Sequence, residues 1–311
     1  MMTPEISVVV LSWNTADLLV ACLRSLDADD QSGVLEVIVV DNASADGSAD
    51  RVAAEFPGVR LIRNEENLLY AEGNNIGARA ATGEYLCLLN SDTEVTPGAL
   101  GVLRDFLRDR PRYAMVGPKL LNRDGSLQKA CRRLPRLREQ VWQWSWFRNT
   151  RWARRANQYA AMTDFDHLTS RDVEQPLGAC VMLCHQEYLS MEGLDPQLSL
   201  FFNDVDFSLR LKEKNRGIYY LVDAVVMHHH GASTKQLREE FGNVLWNRNR
   251  LAFVRKHHGW LAGCLIRGMF HTTYASMFLR VVCSRRSWTD KRATLGRLRS
   301  FGRRSTDTSP V

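Results

Sequence analysis

Four short apolar runs separated by helix-like stretches constrain this chain more than any other feature. Residues 6–12, 35–41, 59–63 and 84–90 are rich in Val, Ile and Leu and long enough for one strand each. Between them, Asp17–Leu26 and Ala71–Ala81 carry apolar residues at helical spacing, and a helix through Phe56 follows the turn-rich Asn42–Gly47. Pro97 stands where proline is tolerated, at the start of a further helix. Tyr113–Gly117 reads as a fifth strand. Such β-α-β-α alternation predicts a doubly wound, mostly parallel α/β sheet. In such sheets, ligands bind beyond the carboxyl ends of the strands.

The runs at 35–41 and 84–90 are each closed by polar groups, Asp41-Asn42 and Asn90-Ser91-Asp92. Asp41 suits an Asx-turn over Asn42–Asp46, or a contact to a base or ribose. No G-x-G-x-x-G follows the first strand, where Ser12-Trp13-Asn14-Thr15 stands, and this argues against a nicotinamide enzyme. Gly73-Asn74-Asn75-Ile76-Gly77 is read at the start of a helix. It is either a phosphate-facing N-terminus or a helix–strand packing stripe. Asp92, with Asn90 nearby, suits a Mg2+ or Mn2+ that takes its remaining ligands from a diphosphate and water; the alternative is a turn or N-cap aspartate.

Further along, residues 119–172 are rich in Arg and Trp, including Trp142, Trp144, Trp146 and Trp152, and read as a mobile or interfacial loop-helix region. Regular structure resumes at Gln175–Leu183. A helix is expected from Asp204 to Asn215, with strands at Ile218–Val222 and Ala224–His228. In Phe201-Phe202-Asn203-Asp204-Val205-Asp206, Asn203 or Asp204 could cap that helix. The functional reading makes this acidic centre a general base beside an aromatic wall, its pKa raised by Phe201 and Phe202. Of His228-His229-His230, at most two share a face, and His228 is the candidate metal ligand.

Composition sets limits. With 45% hydrophobic and 24% charged residues in 311, the chain suits a soluble protein with a sizeable core. The net charge of +6 is uneven, with Arg and Lys concentrated after Arg104 and at Arg285-Arg286, Lys291-Arg292 and Arg303-Arg304. This points to an anionic partner. Seven scattered cysteines without a C-x-x-C pair suggest a reducing, cytoplasmic setting. Neither a signal peptide nor an 18-residue apolar span is found.

Taken in order, Val8–Asn14, Val40–Ser48, Asn67–Gly77, Leu88–Thr93, Gly178–Cys180, Phe202–Asp206 and His228–Ser233 resemble the family 2 inverting glycosyltransferases, in their rhamnosyltransferase-like branch. The match runs from about residue 6 to 260. The resemblance implies a GT-A fold, a nucleotide-diphospho-sugar donor and a divalent cation, Mg2+ or Mn2+. It places Asp41 and Asn42 at the base and ribose, with Ser12, Asn14, Asn74, Asn75, Asn90 and Ser91 as further donor contacts. Asn90-Ser91-Asp92 takes the place of the DXD motif, with Asp92 facing the metal and Asn90 replacing its first acid. Asp204 falls at the catalytic base, and His228 at a further metal or diphosphate contact. Asn203 stands where many relatives have Glu. The implied reaction is an inverting transfer of a sugar, rhamnose from dTDP-rhamnose, to a glycan or polyprenyl-linked acceptor of the cell envelope.

The expected organisation is a GT-A domain over 1–247, with a nucleotide-binding half to 118 and an acceptor-side half at 172–247. A helical extension over 248–290 and a basic, disordered tail over 291–311 follow. Within the extension, Trp260–Val282 is either a core helix or an interfacial helix on an anionic leaflet. The latter would place the enzyme peripherally on the inner face of the cell membrane. A different class, an inactive sugar-nucleotide or membrane-surface binder of the same fold, is opposed by the joint presence of Asp92, Asp204 and His228. Nucleic-acid binding ranks last, because the Arg-rich tail has a single aromatic, Phe301, after Trp288.

Overall fold

The computed structural model describes residues 4–29, 35–142, 147, 149–229 and 239–284. The expectations for Trp144, Trp146, His230 and the basic tail lie outside the described residues. The chain divides into two compact units. The first comprises residues to Leu134, Ala161–Ser199 and Asn203–Gln236; the second comprises Pro135–Ala160, Leu200–Phe202 and the chain from Leu237 onward. Part of the Arg- and Trp-rich middle thus belongs to the same unit as the C-terminal helix.

In the first unit, β1 (Ile6–Ser12), β2 (Leu35–Asp41), β3 (Arg60–Arg63) and β4 (Tyr85–Asn90) lie parallel in the order β3-β2-β1-β4. Every residue of β1 except the half-buried Leu11 is buried, as a parallel strand covered on both faces requires. Val8 and Val10 face one core with α1 (Ala16–Asp29) and Leu100 of the 99–109 helix; Val9 faces a second core with α3 (Leu69–Ala80). The chain moves outward from β1 through β2 to β3, then returns to β4 on the other side of β1. The order thus reverses between β1 and β4, where such folds open a ligand crevice. Register aligns Ser12 with Asp41 and Leu11 with Asn90, so three strand ends share one rim.

The remaining strands differ from expectation in length. β5 (Thr93–Val95) is a three-residue strand that has no period to detect. β6 runs from Tyr113 to Leu121, beyond the expected Gly117. The middle region contains the two-residue strands β7 (Leu127–Gln128), β8 (Cys131–Arg132), β9 (Arg171–Asp172) and β10 (Gln175–Pro176). Helices α5 (Leu137–Trp142) and α6 (Arg151–Ala160) fall in the second unit, where the Trp142 and Trp152 rings stack at 5.9 Å. Gln175–Leu183 divides into β10 and the antiparallel β11 (Cys180–Cys184). The two strands expected at 218–228 form one, β12 (Gly217–His228), with a bulge: Leu221 pairs with Pro118 and Val225 with Lys119.

Gly73 and Gly77 lie inside α3, not at its start. A Cβ on Gly77 would meet Val9 Cγ1 at 2.3 Å, and one on Gly73 would meet Leu11 Cδ1 at 2.4 Å. These glycines let the helix approach β1 closely, and the phosphate-facing reading of this stretch gives way to packing.

Candidate active site

At the shared rim the side chains link the strand ends. Ser12 Oγ lies 3.1 Å from Thr15 Oγ1, which lies 2.8 Å from Ser91 Oγ. This buried hydroxyl chain spans the crevice between β1 and β4. Asn14 adopts φ 52°, accepts from the Ala45 amide at 2.7 Å and donates its own amide to Ser44 Oγ at 3.0 Å. Asp41, 3% exposed, accepts from the Ser44 amide at 3.0 Å, three residues on and so one beyond the reach of an Asx-turn. Burial works against the charge on Asp46, yet the Ser48 hydroxyl at 2.6 Å and the Ala16 amide at 2.9 Å hold its carboxyl below the ordinary range. Neither Thr15 nor Asp46 carries a sequence signal that separates it from other loop residues.

Three more of the expected donor contacts also have structural partners. Asn42 donates to Leu69 O at 3.1 Å and accepts from Asn64 Nδ2 at 2.8 Å, tying the 64–69 segment to the rim. Asn74 donates to Tyr70 O within its own helix. Asn75 donates to Leu194 O at 2.7 Å, and its oxygen accepts from Tyr188 Oη at 2.6 Å and Leu194 N at 2.9 Å. Asn74 and Asn75 are 1% and 4% exposed, and Asn75 joins the helix to the 188–194 segment.

The candidate metal ligands are brought together by β5. This strand pairs with the end of β12 and sets Thr93 opposite His228, so Asp92 and His228 meet although 136 residues apart. His228 Nε2 lies 3.4 Å from Asp92 Oδ1, and both residues are 5% exposed. Gln128 Oε1, at 2.8 Å, accepts a hydrogen bond from His228 Nδ1. With Nδ1 bonded to Gln128, the ring turns Nε2 toward a carboxylate oxygen of Asp92. Two electron-rich atoms so placed suit a divalent cation between them. No group of three or more acidic, His or Cys ligands exists among the described residues. A Mg2+-type metal takes one or two protein ligands and the rest from phosphate and water. Alongside, His229 Nε2 lies 2.6 Å from Glu94 Oε1 and its amide donates to Asp92 O at 2.8 Å. Gln128 and Glu94 went unseen in the sequence.

Asp204 lies in the first turn of α8 (Asn203–Glu213). It is not bound to an N2 or N3 amide in the manner of a cap; its Oδ1 accepts from the adjacent Val205 N at 2.9 Å. Asn203 donates its side chain to Leu198 O. Asp206, fully buried, pairs with Arg210 Nε at 2.8 Å, and Arg210 also holds Met191 O and Gly193 O. Oδ2 of Asp204 accepts from Gln175 Nε2 at 2.8 Å. Burial raises the Asp204 pKa, against the opposing pull of these hydrogen bonds and of Arg132. Phe201 and Phe202 fall in the second unit, packed on Trp246 at 5.2 and 5.0 Å. The apolar residues beside Asp204 are instead Phe207 and Pro176, around a cavity of about 20 Å³. That cavity has room for one water and none for a sugar.

The two halves are joined through Leu177–Ala179. Asn90 N donates to Ala179 O at 2.9 Å, Tyr70 Oη donates to Gly178 O at 2.7 Å, and a Cβ on Gly178 would lie 3.7 Å from Asp204 Cβ. The end of β4 and Asp204 thus flank one short segment.

The family profile of "Glycosyl transferase family 2" matches residues 7–175, more than half of the chain. The chain belongs to glycosyl transferase family 2. This glycosyltransferase is 25% identical over 274 residues to the N-acetylglucosaminyl-diphospho-decaprenol L-rhamnosyltransferase of Mycobacterium tuberculosis, covering 83% of this chain and 87% of that one. It is 28% identical over 237 residues to the O-antigen biosynthesis protein RfbC of Myxococcus xanthus, covering 75% of this chain and 18% of that one. The solved mannosyltransferase PcManGT from Pyrobaculum calidifontis, in complex with GDP-Man and Mn2+, superposes with a TM-score of 0.54 at 16% identity, covering 98% of this chain and 85% of that one. The fold is GT-A, and the rhamnosyltransferase-like resemblance of the motifs stands beside a relative of that activity.

Proposed function

We propose that this glycosyltransferase moves a sugar, rhamnose from dTDP-rhamnose, to a hydroxyl of a lipid-linked or cell-envelope glycan, with inversion at the anomeric carbon. The observation that carries this reading is Asp204. It is an aspartate of raised pKa, oriented by Gln175 and set across one short segment from the end of β4. One base and one donor site suffice for a single displacement. Asp204 takes the proton of the acceptor hydroxyl; the acceptor oxygen bonds to the anomeric carbon; the bond from that carbon to the diphosphate oxygen breaks, and its electron pair leaves with the nucleoside diphosphate. The raised pKa makes Asp204 a better base than an ordinary carboxylate once it is ionised.

Asp92 and His228 would hold Mg2+ or Mn2+, which when bound neutralises charge on the departing diphosphate. The rim residues Ser12, Asn14, Asp41, Asn42, Asn90 and Ser91 form the donor side of the crevice in this reading. The sugar and the lipid acceptor are proposed from the similarity to a decaprenol-diphosphate rhamnosyltransferase. That acceptor class suits work in the cytoplasm, at the inner face of the cell membrane.

The test is a thermal-shift panel of nucleotide-sugars with and without Mn2+ or Mg2+, followed by transfer assays with the best donor. Stabilisation by dTDP-rhamnose above other donors, and only with metal, is expected. Equal response to all donors, or none, would remove the donor assignment.

A further inference from the structure

The helix α9 (Glu239–Val282) breaks at Gly259, whose φ of 84° and ψ of 172° only glycine adopts readily. Beyond this break, residues 260–282 present two apolar faces. One is buried, through Ala262, Ile266 and Phe270, each under 10% exposed. The other faces solvent. Leu261, Leu265, Leu279 and Val282 are 77%, 49%, 61% and 38% exposed, and the small Gly268 and Ala275 fall between them on the same stripe. At roughly 100° per residue, Arg280 borders this stripe on one side, and Arg267 and His271 border it on the other. All three are exposed, as is Trp260 at 65% beside Arg267.

The charge of the segment says what covers the stripe. From Phe241 to Thr289 the sequence contains no Asp or Glu, while Arg and Lys recur throughout. A second copy that paired this stripe with itself would bring Arg267 and Arg280 against their like, with no acid between Phe241 and Thr289 to pair them. An anionic surface has the complementary sign. No helix among the described residues is long and apolar enough to cross a membrane.

We propose that this face is an in-plane anchor on an anionic lipid bilayer. Leu261, Leu265, Leu279 and Val282 enter the headgroup boundary, Trp260 sits at the same level, and Arg267 and Arg280 reach out to lipid phosphates. The inference deepens the proposed acceptor assignment by naming the surface that presents a lipid-linked acceptor, and rests on that assignment for its purpose alone.

The test uses the full chain in vesicle sedimentation, with phosphatidylcholine alone and with phosphatidylcholine and phosphatidylglycerol in equal parts. Wild type is expected to sediment with the anionic vesicles and to be released by salt. Each basic side chain near an anionic surface strengthens partitioning roughly fivefold. R267Q with R280Q is therefore expected to weaken it by about 25-fold, and L261Q with L265Q and L279Q to abolish it. Metal-dependent donor hydrolysis, measured on the same preparations, is expected to be unchanged, since none of these residues belongs to the catalytic centre. Wild type that hydrolyses donor but ignores anionic vesicles overturns the anchor and leaves the enzyme reading intact. Loss of a dimer in the Leu variant, without vesicle binding by wild type, overturns it in favour of a second copy.

Discussion

Replacing Gln175 by leucine removes one hydrogen bond from the charged form of Asp204 and little else. Gln175 is 3% exposed, and its Nε2 donates to Asp204 Oδ2 at 2.8 Å. A hydrogen bond to a charged group contributes about 1.5–3 kcal/mol. Asp204 is half-buried, so the lower end applies, and about 1.5 kcal/mol corresponds to roughly tenfold in an equilibrium. The sign follows from the donor role: the amide favours the carboxylate, so its loss favours the neutral acid. Burial already holds the Asp204 pKa above the ordinary aspartate range, and the variant moves it further up. The assay is the pH dependence of kcat/KM. Below its acid limb, the variant is expected to lose about tenfold relative to wild type, and the two profiles converge at higher pH where both carboxyls are ionised. A uniform loss at every pH, or an acid limb that does not move, would refute the role assigned to the pair.

Other residues give independent checks. Gly77→Ala is expected to lower the melting temperature by a few degrees, because overpacking against Val9 costs about 1–3 kcal/mol and the gain in helix propensity offsets only part; donor affinity is unchanged, whereas a phosphate-binding glycine would show the reverse. Gln128→Leu is expected to weaken Mn2+ binding about 10- to 100-fold in an electron paramagnetic resonance titration with nucleoside diphosphate, since it frees the His228 ring. Arg210→Met leaves the fully buried Asp206 short of its cation and is expected to destabilise by about 3–5 kcal/mol in denaturant unfolding, with no change in the pH profile of any residual activity.

The parts of the fold that sequence makes legible are those whose local signal exceeds its surroundings. β1, β2 and β4 are apolar runs closed by polar groups, and their parallel order places Ser12, Asp41 and Asn90 on one rim. β5 has three residues and β7 to β10 two each, too few to show a period, yet β5 is what carries His228 to Asp92. Gln128 and Gln175 escaped notice for a different reason. Uncharged amides carry no motif, and their importance lies in which nitrogen or oxygen they face. The same ambiguity holds at Asn74 and Asn75. A pair of amides between two glycines resembles a ligand-binding turn, but here the glycines serve close packing on β1 and the amides satisfy buried backbone groups. The second acidic centre was legible as Asp204, while the source of its desolvation was not. Phe201 and Phe202 adjoin it in sequence, and Phe207 and Pro176 adjoin it in space.

Asp204→Asn tests the central claim most directly, with donor binding and sugar transfer measured on one preparation in the presence of Mn2+. The account predicts unchanged affinity for the nucleotide-sugar, a melting temperature no lower than wild type because a buried charge is removed, and transfer reduced by about 10²–10⁴-fold. Transfer at the wild-type rate would contradict it.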